Sequence, residues 1–562
     1  MGYIKEILFK NKGLVFIYIV IGVLNAFLTN FKVDYFQEVI DGLAAGTMVL
    51  GGIMIYGILL IADYLMHYLE EYPSQKLGQG IYLDFKLIAL KKISKIDYLA
   101  YQKEGTGKLV QRIENGAKAG RDLLYNFWFR VIRDLVPTII FSIYFIWQIN
   151  QKITFILVGG YILVFIITNV LLKVLYQIKE HILSNEEKMN HYLVRGFMEM
   201  IVFRMAKKFP NELHKASIAK QNIVSSKVKM TMIHEAFFTL FALLIAVLNI
   251  GILLYAWYTK TMSVGEVVAL LSLVDHAYTP IAIFNVLYVQ YKLDKASFHR
   301  FECFLDLDED TGLNEGKVVT SLEGTIEIKH LSFEYEGRKL FEDLNLSIKS
   351  GEKVAFVGES GSGKSTLVKL IAGLIKYDKG SIQIDGQELK ELRLNSLYDH
   401  LSYIPQDSPI FDGTLRENLV FDQEISDEMQ IRALEKMCLL PLYQNMKKGL
   451  DTEIGERGMI LSGGERQRLA LARLYFERKA ITILDEATSA MDNLTEEKTI
   501  NELIHMLGQQ TVISIAHRLS SIVNFDHIIV LKEGKIVGQG SFDELIKNNA
   551  YFKALYNARS SS

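Results

Sequence analysis

The sequence predicts a chain of two unlike parts, an all-α domain of six long helices followed by an α/β domain. Three observations predict it. Six long apolar runs precede residue 320. Beyond it, short β-branched strands alternate with helical stretches, as in an α/β fold. One of those strands opens into a glycine-rich loop and then a helix, within 354–375. At 562 residues the chain exceeds one ordinary core. Half of it is hydrophobic and its mean hydropathy is +0.18, high for a protein that meets only water.

Residues 1–12 open the chain with Ile4, Ile7 and Leu8 at helical spacing beside Lys5, Lys10 and Lys12. That pattern suits a short helix lying in the inner membrane interface. The apolar runs follow: Gly13–Phe31, Met48–Tyr68, Phe127–Ile149, Ile153–Tyr176, Phe237–Tyr258 and Val264–Gln290. Each is near the roughly 20 residues a helix needs to cross a bilayer core. Residues 13–302 therefore read as an all-α six-helix transmembrane domain, with membrane lipids as its surroundings.

Charge orients it. The segments 69–122 and 177–235 are rich in Lys and Arg, whereas the other connections hold only Lys32, Lys152 and Lys260. Cytoplasmic loops collect basic residues, so both long loops and both termini belong inside a multi-pass cell-membrane protein. Trp147 and Trp257 then fall at outer span ends, where aromatic belts sit. The long loops carry helical runs such as Ile81–Ile93 and Ile182–Ala206, which extend the spans as cytoplasmic stalks.

Polar residues inside the spans are few. Asp63 and His67 fall near the inner end of the second span, within reach of headgroups, and Asn25, Asn30, Asn169, Asn249 and Asn285 read as interhelical glue. Asp275 and His276 lie near the middle of the sixth span, where an ionisable group faces a partner or a cavity. They make either an interhelical hydrogen bond or a cavity that attracts a cationic amphipathic cargo. Cys303 and Cys438 form neither a disulfide framework nor a metal cluster, and both are expected as buried thiols. A net charge of -2 gives no nucleic-acid signal.

An acidic stretch with Asp306, Asp308, Glu309 and Asp310 marks a linker over 303–322, and the α/β domain occupies 323–562. Gly358-Glu359-Ser360-Gly361-Ser362-Gly363-Lys364-Ser365-Thr366 follows the apolar strand Val354–Val357 and precedes a helix. In this G-x-x-x-x-G-K-[ST] pattern glycines turn backbone N–H groups toward phosphates, the lysine reaches the terminal phosphates, and the following serine ligates Mg²⁺. The domain is thus expected to be an α/β phosphate-loop (P-loop) nucleotide-binding domain that takes Mg²⁺ with the phosphates. A second strand, Ala480–Leu484, ends in Asp485-Glu486, suited to holding Mg²⁺ and orienting an attacking water. A third, Thr511–Ile515, ends at Ala516-His517-Arg518 on the same face.

Leu461-Ser462-Gly463-Gly464-Glu465-Arg466-Gln467-Arg468 resembles the signature sequence of ABC transporter ATPases. It lies between the phosphate loop and Asp485-Glu486, in the order that family shows. The resemblance implies further roles. Gln406, after Tyr403-Ile404-Pro405, is similar to the Q-loop glutamine that contacts Mg²⁺ and senses the membrane domain. Ser489-Ala490-Met491-Asp492 resembles the D-loop, with Met where Leu is usual. His517 matches the switch histidine at the γ-phosphate, and Tyr335 the aromatic that stacks on adenine. Thr452–Gly458 resembles a segment of exporters whose membrane and ATPase domains are fused. Ile96-Asp97-Tyr98 with Gly105, Gly107 and Arg112, and Met198-Glu199 with Phe203 and Lys207, are similar to the inner loops carrying that family's short coupling helices.

In that family the signature of one ATPase faces the phosphate loop of another. One chain has one of each, so the expected unit is a pair sandwiching two ATP molecules, a homodimer or a heterodimer. Catalysis falls to Glu486, His517 and Gln406. The nucleotide falls to Tyr335, Gly358–Thr366, Ser462, Gly463, Gly464 and Asp492, and Mg²⁺ to Ser365, Gln406 and Asp485. The expected function is ATP-hydrolysing export of a drug, peptide or lipid by alternating access. An ATP-gated channel of the same architecture is the alternative, but such proteins typically lose catalytic residues, which this chain keeps. A DNA-repair ATPase with a similar signature would need long coiled coils instead of six spans. The half-size, Lys- and Ile-rich chain looks bacterial.

Overall fold

The computed structural model describes residues 2–560 apart from 105, 336, 422, 456–459, 517 and 519–521. Within its helices the side chains of 104, 106–108, 161, 163–165, 167–173, 198, 282, 285 and 558–560 also lie outside the description. Contacts divide the chain into two compact units. One comprises Met1–Ser94 and Glu104–Leu307, the other Lys95–Lys103 and Asp308–Ser562.

The first unit is helical. A short helix, Gly2–Lys10, is pinned by Lys10 to Asp84 at 2.6 Å and by the Tyr3 hydroxyl to the Leu305 carbonyl at 3.3 Å. Long helices follow at Lys12–Ala44, Leu50–Ile93, Gln151–Met198, Phe209–Thr259 and Val264–Leu305. The third long element runs from Thr106 to Ile149 and is π-helical over Asp122–Phe129 and Val131–Leu135. Among the described residues four helices, Lys12–Ala44, Leu50–Ile93, Phe209–Thr259 and Val264–Leu305, are long and apolar enough to cross a membrane. Local chemistry sets the ends. Asn150 accepts from the Lys152 and Ile153 amides, Ser263 and Glu266 form a capping box, and Lys260 closes its helix at φ 53°. In the third element Gly116 lets the backbone approach Phe301, whose side chain an added Cβ would overlap.

Three expectations need correction here. Lys32 does not lie in an outer connection, nor does Asp63 reach headgroups. The first long helix continues to Ala44, so the turn falls at 45–49, and Lys32 instead pairs with Asp63 inside the bundle. Their 2.5 Å ion pair leaves Asp63 5% exposed, and the Thr29 hydroxyl donates to the other carboxylate oxygen at 3.0 Å. The helix outlasts its apolar run because paired opposite charges satisfy each other inside it. The cysteines are not both buried. Cys303 is exposed because Phe301 and Phe304 take the core side of that helical turn, and Cys438, at φ 55°, is half-buried.

Asn30 does act between helices, accepting from Ser142 at 2.7 Å, and Asn25 meets His67 at 3.3 Å. The side chains of Asn169 and Asn285 are outside the described residues.

The second unit contains strands β1 (Ile326–Tyr335), β2 (Arg338–Ile348), β3 (Lys353–Val357), β4 (Lys379–Ile384), β5 (Gln387–Glu388), β6 (Leu401–Ile404), β7 (Ile481–Asp485), β8 (Thr511–Ile515), β9 (His527–Lys532) and β10 (Lys535–Gly540). An antiparallel sheet orders them β2-β1-β4-β5, and a six-stranded sheet β10-β9-β3-β8-β7-β6. In the latter β9, β3, β8, β7 and β6 are parallel. Every residue of β3, β7 and β8 is buried, which is why these strands are mostly apolar instead of alternating. Their carboxyl ends lie side by side, so the loops after β3 and β7 open on one edge. Residues 95–103 join this unit through the Ile96–Glu309 bridge, and Tyr98 and Leu99 pack against its core.

Candidate nucleotide site

The loop after β3 turns into the helix Lys364–Ile371 through Gly363 at φ 101°. A side chain there would be strained and would place its Cβ 2.8 Å from the Phe341 ring. Lys364 is buried, and its ammonium donates to the carbonyls of Gly358 at 3.1 Å and Glu359 at 2.9 Å. Ser362 Oγ is buried with no hydrogen-bond partner among the described residues, a polar atom with capacity to spare at the head of an anion-binding loop.

β7 delivers Asp485, 3% exposed, to the base of this loop. Ser365 Oγ donates to Asp485 Oδ1 at 3.0 Å, and the Tyr403 hydroxyl donates to Oδ2 at 2.9 Å. The next residue, Glu486, takes φ 55°, which turns its carboxylate off the strand, and Gln406 Nε2 donates to it at 2.6 Å. Hydroxyl, carboxylate and amide oxygens form a hard donor set that fits Mg²⁺.

A cleft of about 670 Å³ is lined by Tyr335, Ser360, Gly361, Gly363, Lys364, Ser365, Thr366, Gln406 and Glu486. The sequence-derived nucleotide residues therefore converge. Gln102, Arg338, Leu340, Lys369 and Ile375 share the wall, and sequence reading gave them no part. Arg338 and Lys369 were findable as cations within a few residues of Tyr335 and Lys364. Gln102 was not, because it lies far away in the chain.

Ser462, Gly463, Gly464 and Asp492 are not in that lining. They form a region of their own. Ser462 caps the helix Gly463–Ala472 in a capping box with Glu465. Gln467 ties this helix to the next motif, donating to Ser489 Oγ at 3.1 Å and accepting from the Ala490 amide at 2.8 Å. Asp492 caps the helix Asn493–Leu507, and the Thr495 hydrogen bonds hold its carboxyl below the usual range. Ser462 and Asp492 are exposed. His517, with Glu456, Arg457, Gly458 and Gly105, lies outside the described residues. In the first unit Asp275 is exposed, and half-buried His276 holds its Nδ1 in the interior with no hydrogen-bond partner among the described residues.

A phosphate loop beside a carboxylate pair, in a chain whose other unit has membrane-length helices, defines a nucleotide-driven membrane transporter. Two family profiles match, the ABC transporter transmembrane region over residues 14–280 and the ABC transporter domain over 341–489. The chain belongs to the ABC transporter superfamily, as a half-size exporter with membrane and nucleotide-binding regions fused. It is 29% identical over 555 residues to an uncharacterised ABC transporter ATP-binding protein of Bacillus subtilis, covering 94% of this chain and 92% of that one. It is 27% identical to an ATP-dependent lipid A-core flippase of Alcanivorax borkumensis, covering 89% and 86%. Its fold matches the structure of a bacterial Atm1-family ABC exporter with ATP bound, at a TM-score of 0.81, 23% identity and 99% coverage of both chains.

Proposed function

We propose that the chain is one half of a dimeric exporter in which each ATP is held between the phosphate loop of one copy and Ser462–Gly464 of the other. The carrying observation is that the signature residues do not line the cleft formed by the phosphate loop, Gln406 and Glu486. Ser462 and Asp492 are instead exposed, open to a second copy. The backbone amides of Gly463 and Gly464 open a helix and suit an anion. Because no element of the site is lost, a homodimer is the simplest assembly.

Within each site Tyr335 stacks on adenine, the phosphate loop and Lys364 grip the phosphates, and Ser365, Gln406 and Asp485 hold Mg²⁺, which when bound neutralises phosphate charge. Glu486 orients and activates the water, with His517 at the γ-phosphate. Closure of the pair on ATP turns the membrane cavity from inward to outward facing, because nucleotide binds the closed state better. Hydrolysis resets it. The cargo is amphipathic, a reading supported by the relatives named lipid A-core flippase, and Asp275 and His276 line its path. Both termini are cytoplasmic, in a bacterial inner membrane.

The shared site is tested with cysteines at Ser360 and Ser462 in a Glu486→Gln chain in which Cys303 and Cys438 are replaced by serine. ATP and Mg²⁺ should drive a disulfide between copies, doubling the mass on a non-reducing gel. A disulfide within one chain, or none, would overturn the proposal.

A further inference from the structure

Tyr403 has no part in the roles assigned so far, yet among the described residues it is one of two side chains that hold Asp485. It sits on β6 opposite Ile483, in the strand pair that leads to the Asp485-Glu486 corner. Its hydroxyl donates to one carboxylate oxygen at 2.9 Å while Ser365 donates to the other at 3.0 Å. Asp485 thus has one hydroxyl on each oxygen in a nearly dry setting, and a carboxylate held this way has little rotational freedom. Ser365 is itself a candidate ligand. Tyr403 is not, so it acts only as a brace.

Its surroundings lead to the first inner loop. Tyr98 packs into the same core cluster as Tyr403, and Lys369 Nζ stands 5.7 Å from the Tyr98 ring. Tyr98 begins the helix Tyr98–Glu104, anchored by Asp97 Oδ1 accepting from the Leu99 amide at 2.9 Å. Lys369 and Gln102 line the nucleotide cleft. Residues 95–103 therefore reach the wall of the site through Gln102, and through Tyr98 the core cluster against which Tyr403 also packs.

We infer that Tyr403 is a positioning residue for the magnesium carboxylate, and that Tyr98 fixes where Tyr403 stands, so that the seating of residues 95–103 sets how tightly the ion is held. This rests on the reading of Asp485 as an Mg²⁺ residue. Outer partners that orient a ligating carboxylate typically change metal affinity about 10- to 100-fold when removed.

The test uses the full chain in lipid nanodiscs with ATP and titrated Mn²⁺, free Mn²⁺ being read by electron paramagnetic resonance. Binding of a fluorescent ATP analogue in EDTA is read alongside. For Tyr403→Phe the Mn²⁺ needed for half-saturation should rise about tenfold while nucleotide binding in EDTA stays at the wild-type value. Tyr98→Leu, which keeps the Tyr403 hydroxyl, should shift Mn²⁺ binding the same way by a smaller factor. It also decides the matter if Tyr403→Phe fails to fold. If the wild-type chain holds no Mn²⁺ with ATP, the magnesium reading of the site fails and takes this inference with it. If the wild type holds Mn²⁺ and Tyr403→Phe superimposes on it, the inference alone is overturned. A Tyr98→Leu curve matching wild type removes the link to residues 95–103.

Discussion

Gln406 Nε2 donates to Glu486 Oε2 across 2.6 Å, joining the loop after β6 to the corner after β7. The bond steadies a carboxylate whose backbone stands at φ 55°, away from ordinary strand geometry. A residue kept in that conformation costs stability unless its surroundings require it, and here they include the nucleotide cleft.

Glu486→Gln keeps the size of the side chain and removes its basicity. Turnover should fall by about 10²-fold or more, the usual contribution of a positioned general base, while ATP still binds. Phosphate release and nucleotide binding measured on one preparation check this, and near-normal release would assign the role elsewhere.

The Lys32–Asp63 pair joins two helices, with Asp63 buried and Lys32 half-buried. Asp63→Leu leaves Lys32 without its carboxylate and should cost about 3–5 kcal/mol, read as a lower midpoint of thermal unfolding in detergent. Adding Lys32→Met should recover most of the loss, since a buried pair replaced by apolar groups is often neutral. Equal destabilisation by both would show that the pair acts through more than its charges.

Asp275 is exposed on the sixth long helix. If it draws cationic amphipaths into the cavity, Asp275→Asn should raise the half-stimulating concentration of such compounds about tenfold, and leave basal hydrolysis and stimulation by neutral lipid unchanged. An unchanged cationic response would leave Asp275 with a packing role.

Asp492 is a helix cap with its folded pKa lowered by the Thr495 hydrogen bonds. Because the folded state holds the proton less well than the unfolded chain, the stabilisation is present above the ordinary aspartate pKa. It is lost as pH falls through the lower folded value. Asp492→Asn should keep the cap and remove this acid-side slope, measurable as unfolding midpoints between about pH 3 and pH 6.

Much of the nucleotide site was legible because its chemistry is local. Glycines that permit the turn, Lys364 and Ser365 fall within one short loop, and Asp485-Glu486 ends an unmistakably buried strand. What stayed hidden depends on contacts distant in sequence. Tyr403 looks like any strand aromatic until its hydroxyl meets Asp485, and Gln102 lies more than two hundred residues from the loop it borders. Hydropathy ended the first span near Phe31 because it counts Lys32 as a break, whereas Asp63 cancels that charge across the helix pair. The π-helical stretch from Asp122 to Leu135 has no compositional mark, since one added residue per turn changes which carbonyl is bonded and not which residues are apolar.

Lys95–Lys103 folds with Asp308–Ser562 although more than two hundred residues separate them. The ATP-binding body is therefore not one continuous stretch of gene. A fragment begun at 308 would lack Tyr98 and Leu99 from its interior and should be less soluble than one supplied with a 95–103 peptide. Exchange of whole halves between related transporters would meet the same obstacle, because a splice at the linker carries the wrong nine residues into the grafted domain.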